Sequence, residues 1–417
     1  MTASVLDNPP RRDFQVMGLV GIAHGISHFY QQALPPLFGP MKEAFHVSFT
    51  ELGALLTVLS VTSCIGQMLA GIAVDRYGAK RLLIGGLALI GTALALAGFA
   101  QSYWHLIALA VVAGIGNCVF HPCDFAILNA SVSQPRLGRA YGTHGLFGTL
   151  GWPASIALMW FLSETVGWRY AAMIAGSIGI AMAMLVAANS HLFIDHRVPR
   201  ADAAPAAGGG RHGARSAGSV SLAVLFSAPI MMCLVYFVFT AMTGPSINAF
   251  GSQALASLYH VTPKMAANAV IAYYVGSAFG VIAGGWLADR TARHDRVAAT
   301  GLLSAALLMG FAATLVLPFI GTVVVMALAG FSAGTTGPSR DMIVRGATPP
   351  GASGKVFGFV YSGLDIGSSI GPLIFGYMMD HGMPQGILIM TAVLFTMAMV
   401  SVLQVRRVSL AHKLASA

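Results

Sequence analysis

Residues 71–81 read GIAVDRYGAKR and residues 285–296 read GWLADRTARHDR, so a Gly-x-x-x-Asp-Arg sequence occurs twice, 214 positions apart. Two further matches recur in the same order at an offset of 216. They are Gly114 and Pro122 with Gly330 and Pro338, and GRAYG at 138–142 with GKVFG at 354–358. Three landmarks in one order predict that the chain is an internal duplication of a single structural unit.

The composition places most of the chain in lipid. Of 417 residues, 56% are hydrophobic and 9% are charged, whereas soluble domains are about a quarter charged. Because about 20 apolar residues cross a bilayer as a helix, the sequence predicts twelve spans. They lie near 17–38, 51–74, 82–101, 104–129, 139–162, 170–190, 221–245, 266–288, 297–318, 322–345, 356–378 and 385–405. The predicted fold is an all-α membrane protein with twelve transmembrane helices in two pseudo-symmetric six-helix bundles.

A polar stretch divides the spans into six and six. Residues 199–219 read PRADAAPAAGGGRHGARSAGS, which has no apolar periodicity and predicts a flexible linker. The expected organisation is an N-terminal tail (1–16), an N-terminal bundle (17–190), a linker (191–220), a C-terminal bundle (221–405) and a C-terminal tail (406–417). Duplicated six-helix units are typical of transporters, whose solute site lies between the repeats.

The basic residues predict the orientation. With the N-terminus in the cytoplasm, 19 of the 23 Lys and Arg fall in cytoplasmic segments, and only Lys42, Arg169 and Lys264 fall outside. This positive-inside pattern predicts a multi-pass protein of a bacterial-type inner (plasma) membrane with both termini cytoplasmic. The opening stretch is polar, so we expect no cleavable secretory signal. Because the basic residues are scattered, we expect no nucleic-acid partner. The expected partners are membrane lipids, a small solute and protons, and the protein is expected to be monomeric.

Several classes of function lack their motifs. The four cysteines, Cys64, Cys118, Cys123 and Cys233, lie in predicted helices without a CxxC spacing, so we expect neither a disulfide framework nor a metal site. Neither a GxxxxGK[ST] loop nor an HExxH sequence occurs. We therefore expect no ATP-driven mechanism, no cofactor and no enzymatic activity. A membrane-embedded enzyme and a solute receptor remain as less favoured alternatives.

The loop at 71–81 resembles the signature between spans two and three of the major facilitator superfamily. The matching residues are Gly71, Asp75, Arg76, Gly78, Lys80 and Arg81. The resemblance extends to the span count, the linker and the repeat, and it implies the major facilitator fold. It also implies a cytoplasmic gate, for which the candidates are Asp75, Arg76, Arg81, their weaker echo Asp289 and Arg290, and Asp365 of span eleven. The alternative is that the loop serves only as a topology signal.

A second resemblance is narrower. Phe120-His121-Pro122 followed by GRAYG at 138–142 is similar to the fosmidomycin-resistance type of exporter within that superfamily. Family exporters often carry an arginine in the middle of span four, and this chain has none near Val112 and Ala113. The resemblance therefore does not imply proton antiport through such an arginine.

Polar residues at helical spacing mark the predicted solute site. An ionisable side chain in lipid costs about 2.5–3.5 kcal/mol, so each one is a functional candidate. Residues at i, i+4 and i+7 share a helix face, and the resemblance implies that spans one, four, seven and ten line a central cavity. The substrate-binding candidates are His24, His28, Gln31, Asn117, Tyr236, Thr240, Thr336 and Arg340. For His24 and His28 the alternative is pairing with a facing helix.

His121 and Asp124 are the candidates for proton coupling. Their i, i+3 spacing allows contact, and a neighbouring carboxylate favours a protonated imidazole. The alternative is a buried hydrogen bond that only fixes helix packing. His144, near the start of span five, is expected to be a helix-packing donor.

Arg340 indicates the charge of the solute. A guanidinium within a span either binds an anionic group or is neutralised by Asp341, Asp365 or Asp124, and the sequence alone leaves both readings open. The resulting hypothesis is a secondary active transporter that moves a small organic anion by alternating access with proton coupling. The alternative is a proton-driven exporter of drugs or toxic compounds.

Overall fold

The computed structural model describes residues 10–194, 225–348 and 353–415 of the chain. All regular structure within these ranges is helical. The helices of the first half are α1 (Pro10–Gln31), α2 (Phe38–Phe45), α3 (Phe49–Tyr77), α4 (Ala79–Ala97), α5 (Tyr103–Asn117), α6 (Phe120–Ser131), α7 (Leu137–Val166) and α8 (Trp168–Ala188). Most of the predicted linker, from residue 195 onward, lies outside the described residues.

The second half repeats this order. Its helices are α9 (Ala228–Asn248), α10 (Gly251–Tyr259), α11 (Pro263–Asp289), α12 (His294–Ala313), α13 (Phe319–Gly334), α14 (Thr336–Ala347), α15 (Ser353–Asp380) and α16 (Pro384–Ala415). Ten segments of the described chain are long and apolar enough to cross a membrane. Helices α1 and α15, at the first and eleventh predicted spans, contain 22 and 28 residues, which is long enough to cross, but they are less apolar.

Proline accounts for the differences from the predicted spans. The first span was predicted to reach residue 38, which is wrong, because α1 ends at Gln31 and a 3-10 turn follows at Pro35–Leu37. Spans four and ten are each two helices, interrupted between α5 and α6 and between α13 and α14. Pro122 and Pro338 lie in the first turn of the second helix in each pair, where a missing N–H group is tolerated.

The packing of helices shows the internal duplication. In the first half α1 packs on α7, α3 on α5 and α4 on α8. In the second half the equivalent pairs are α9 with α15, α11 with α13 and α12 with α16. Buried hydrophobic side chains form two clusters, each drawn mainly from one half. Each half therefore carries its own core.

The two halves meet through α3 with α15 and through α7 with α11. We call the end of the bundle where α1 begins and α8 ends the linker end, and the opposite end the far end. Contacts between the halves lie toward the far end. They include the Thr57 hydroxyl with the Ser369 carbonyl (2.7 Å), the ion pair of Lys264 with Glu164, and the rings of Trp152 and Tyr274 (5.5 Å between centroids).

Candidate solute and proton site

A buried carboxylate lies at the centre of the first half. Asp124 of α6 is fully buried, and Nε2 of His144, on α7, is 3.0 Å from its Oδ2 atom in hydrogen-bonding geometry. Nδ1 of His24, on α1, is 3.2 Å from the same oxygen, close enough for an ion pair when the ring is protonated. The rings of His24 and His144 stack with centroids 3.6 Å apart. Three helices therefore converge on one carboxylate.

Two further histidines lie next to these three residues and complete the histidine cluster. The ring of His28 lies 4.4 Å from that of His24 and stacks on Trp152 at 4.7 Å. The ring of His121 lies 5.1 Å from that of His24, and its side chain is exposed. The hydrogen bond to Asp124 involves His144, for which the sequence predicts only a role in helix packing. Spacing along α6 could not reveal this partner, because the carboxylate points toward α1 and α7.

Glycine lets α1 and α7 approach closely enough to bring these rings together. A Cβ atom on Gly151 would lie 2.2 Å from the carbonyl oxygen of Gly25, and one on Gly148 would lie 2.7 Å from Nε2 of His24. Small residues at such positions are a general device for close helix contact in membranes. The histidine cluster depends on this contact.

The cluster leaves polar atoms unsatisfied. Asp124 Oδ1, His24 Nδ1 and His28 Nδ1 are buried without a hydrogen-bond partner among the described residues. Ring nitrogens of His24, His121 and His144 lie within 4.8 Å of one another, a spacing that a metal ion could occupy. Asp124 contacts two of the three rings, and one proton shared with a ring would balance its charge.

Asn117 and Gln31 each lie at the end of a helix. Asn117 ends α5, and its amide nitrogen donates to the Ser63 hydroxyl of α3 at 2.8 Å, while its Oδ1 atom is buried without a partner in the described chain. Gln31 is partly buried in the last turn of α1, seven residues after His24. Of the polar residues predicted to share one face of α1, His24 thus lies at the Asp124 carboxylate, whereas Gln31 lies at the end of the helix.

The second half carries a cation. Arg340 of α14 donates from Nε to Asp341 Oδ1 at 3.0 Å, and the Tyr361 hydroxyl donates to the same oxygen at 2.9 Å. The guanidinium lies 4.7 Å from the centre of the Phe237 ring, a cation–π distance. The Arg340 side chain is 25% exposed and Asp341 is 43% exposed. Of the three carboxylates considered from sequence, Asp341 is therefore the one that contacts Arg340.

The other candidates of the second half pack next to this cation. Tyr236 of α9 is buried, and its hydroxyl has no hydrogen-bond partner among the described residues. The Thr240 hydroxyl donates to the carbonyl of Tyr236 at 2.8 Å, and that of Thr336 donates to Ala333 at 2.7 Å. Both hydroxyl protons are engaged within their own helices, so these oxygens can act toward a solute only as acceptors.

Asp124 and Arg340 occupy equivalent positions of the repeat, 216 residues apart, each on the second helix of an interrupted span. The two halves therefore place opposite charges at the same site of the same architecture.

The predicted gate residues, apart from Asp365, lie at the linker end. Arg76 is in the last turn of α3, Arg81 is in the first turn of α4, and Arg290 follows α11 with its guanidinium 3.8 Å from the Trp286 ring centre. Among the described side chains no ion pair involves these three arginines. The side chains of Asp75 and Asp289 lie outside the described part. Asp365 is partly buried on α15 and faces Cys64 of α3.

Comparison with known proteins identifies the family. The model of the Major Facilitator Superfamily matches residues 20–251 and 232–416. The chain belongs to the Major Facilitator Superfamily. As a member of this superfamily it is a multi-pass membrane transporter and not an enzyme, and the predicted major facilitator fold is confirmed.

Individual relatives agree with this assignment. The inner membrane transport protein YdhP of Escherichia coli O157:H7 is 23% identical over 374 residues, which cover 88% of each protein. A probable L-galactonate transporter of E. coli K12 is 27% identical over 144 residues, 34% of this chain and only about a third (32%) of that transporter.

A solved structure shows the same fold. A bacterial homolog of the human lysosomal transporter Spinster, in an inward-facing and unoccupied conformation, superposes with a TM-score of 0.77. The two chains are 14% identical, and the match covers 96% of this chain and 98% of the other.

Proposed function

We propose that this transporter is a secondary active carrier of a small organic anion, that it works by alternating access in the inner membrane, and that it is coupled to protons. Arg340 carries this proposal. Its guanidinium is only partly compensated by a half-exposed Asp341, and it has further N–H groups for a second acceptor such as a solute carboxylate. Tyr236, Thr240 and Thr336 would complete the anion site.

Protons would bind at the histidine cluster. The titratable groups that interact with Asp124 are His24 on α1, His121 on α6 and His144 on α7, and the ring of His28 contacts that of His24. Helix α4, which also packs on α6, carries Lys80 and Arg81 only at its start. A buried carboxylate without a counter-charge is strongly unfavourable, so the cluster favours one bound proton. In this proposal Asp124 and the exposed His121 exchange that proton as the transporter changes conformation.

The charge distribution supports the proposed orientation. Arg76, Arg81, Arg136 and Arg290 all lie at the linker end, which by the positive-inside rule would be cytoplasmic. Since the halves touch at the far end, the conformation would be open to the cytoplasm. The gate formed by Asp75, Arg76, Arg81, Asp289, Arg290 and Asp365 would close when the transporter opens outward.

Uptake into proteoliposomes tests this function. Labelled L-galactonate and benzoate serve as small carboxylate probes, and an imposed pH gradient supplies the driving force. Losing one charge-assisted contact costs about 1.5–3 kcal/mol, so Arg340→Gln should lower kcat/KM by about tenfold to a hundredfold. Arg340→Lys should be intermediate.

Arg345 provides the matched control. It lies in the last turn of the same helix and is exposed, so Arg345→Gln should transport like the wild type. Carboxylate transport at the wild-type rate in Arg340→Gln would rule out the anion-binding role. Wild-type liposomes that move only neutral or cationic drugs would favour the exporter alternative.

A further inference from the structure

The gate residues expected from sequence lie at the linker end, apart from Asp365 within α15, yet the contacts between the halves close the far end. Asp380, the last residue of α15, accepts hydrogen bonds from the first turn of α3 in the other half. Its Oδ1 atom accepts from the Phe49 N–H at 2.7 Å, and its Oδ2 atom accepts from the Thr50 N–H at 2.7 Å and the Thr50 hydroxyl at 2.6 Å. One carboxylate thus holds the ends of two helices together.

Helix α3 is incompletely capped by its own residues. A helix leaves its first N–H groups without internal partners. Ser48 accepts from the Glu51 N–H at 3.1 Å, and the Glu51 carboxylate accepts from the Ser48 N–H at 2.7 Å, which completes a capping box. The N–H groups of Phe49 and Thr50 remain, and Asp380 accepts from both. The positive end of the helix also favours a carboxylate at this position.

The same contact continues along both helices. A Cβ atom on Gly376, one turn before Asp380, would lie 2.6 Å from the Phe49 carbonyl oxygen. A Cβ atom on Gly53 would lie 2.4 Å from the carbonyl oxygen of Pro372. Because the two backbones touch directly, the far end cannot open without separating α3 from α15. Opening would therefore remove the acceptor of two backbone N–H groups.

The carboxylate is suited to this role at neutral pH. Burial alone would raise the pKa of Asp380, but the hydrogen bonds from Thr50 and Phe49 and the charge of Lys42, 3.6 Å away, hold the pKa below its ordinary value. Asp380 follows the predicted apolar span that ends at residue 378. It is therefore ionised where it meets the helix.

We propose that Asp380 is the outer-gate residue of the transport cycle, which caps α3 when the far end is shut and releases it when the far end opens. This inference rests on the alternating-access part of the proposed function. It is independent of which solute is carried, because the donors and the acceptor of the gate contact all belong to the chain itself.

Labelling of a native cysteine tests the gate. Cys64 lies on α3, two turns from Thr57 toward the linker end, and faces α15. In a variant that keeps only Cys64, with the other three cysteines replaced by serine, a membrane-impermeant maleimide is added to right-side-out vesicles. Reagent arriving from the far end reaches Cys64 only when the gate opens. Loss of the charge-assisted cap in Asp380→Asn should raise the labelling rate by about tenfold.

Glu164 provides the control for a bridge between the halves. Its ion pair with Lys264 also joins the halves at the far end, but the two side chains are 42% and 54% exposed. Such exposed pairs contribute about 0–1 kcal/mol, so Glu164→Gln should label within about twofold of the parent. Equal labelling in Asp380→Asn and the parent, or an equal increase in Glu164→Gln, would overturn the proposal.

Labelling from the linker end separates gating from unfolding. A shift toward the outward-open state raises labelling from the far end and lowers it from the linker end, whereas loosening of the fold raises both and contradicts the gate. If Asp380→Asn does not reach the membrane, Thr50→Val removes one of the three donors and should give a smaller shift in the same direction. Failure of anion uptake together with this shift would refute the proposed solute class and leave the gate intact.

Discussion

The contact between α1 and α7 gives the sharpest prediction of stability. In Gly151→Ala, the new methyl carbon would lie 2.2 Å from the Gly25 carbonyl oxygen and 3.0 Å from the His28 Cβ atom. Ordinary contacts begin near 3.4 Å, so the two helices would have to separate by about 1 Å. Gly145 lies on the same helix, and a methyl group added there would have no neighbouring atom within 4 Å. It is the matched control.

The two substitutions are expected to change the stability in different directions. Overpacking in a close contact costs about 1–3 kcal/mol, and here the obstacle is backbone, which cannot rotate away. Gly151→Ala should therefore lie at the upper end of that range and lower the Tm by about 5 °C or more. Gly145→Ala adds no clash and gains helix propensity, so it should be neutral or stabilising by up to about 1 kcal/mol.

Thermal unfolding in detergent measures both variants. The four cysteines are free, and three of them are buried, so a thiol-reactive fluorophore reports unfolding without added labels. The same separation would move His28 and His144 apart, so Gly151→Ala should also lose transport at temperatures where it is still folded. A Gly151→Ala protein that melts with the wild type, or a Gly145→Ala protein that melts equally low, would refute the packing argument.

Two further predictions concern carboxylates. The Asp124→Asn protein should still permit downhill solute exchange, but its transport should no longer follow an imposed pH gradient. Asp295 lies outside the cluster, so transport by Asp295→Asn should remain coupled to the gradient. Gradient-driven transport by Asp124→Asn would contradict the coupling role. In the first turn of α1, burial would raise the pKa of Asp13, but hydrogen bonds from Ser133 and Arg136 lower it overall. The stabilisation of the fold by ionised Asp13 is thus fully present at a pH above the ordinary pKa of 3.8, and it is lost as the pH falls through the lowered pKa. The Tm deficit of Asp13→Asn at pH 7 should therefore shrink on acidification, and a constant deficit would contradict the pairing.

The sequence predicted the fold well because its signals are local. Apolar runs of about 20 residues locate membrane helices regardless of packing, and the repeat at offsets of 214 and 216 predicted the matching halves. The ends of helices were less predictable. Pro122 and Pro338 were recognised as landmarks of the repeat, but their effect as breaks in spans four and ten appears only in the structure.

The sequence predicted which residues belong to the candidate site but not which of them contact one another. His24, His121 and Asp124 were selected because ionisable groups are rare in lipid, and the structure brings them together with His144. Which ring contacts the carboxylate depends on how closely α1 and α7 approach, and that distance is set by Gly25 and Gly151. Asp380 was missed for a related reason, since its partners are backbone N–H groups on a distant helix and leave no side-chain pattern.

Under the proposed function, the position of each charge restricts how coupling can occur. Asp124 and His144 are buried within the first half, whereas Arg340 belongs to the other half. The cluster nevertheless reaches the second half through a row of rings: His28 stacks on Trp152, and Trp152 contacts Tyr274 of α11. A proton bound at Asp124 can therefore act on the contact between α7 and α11 through this row, while a solute held by Arg340 acts on the second half directly. Coupling in this proposal depends on the α7–α11 contact, where these two effects meet.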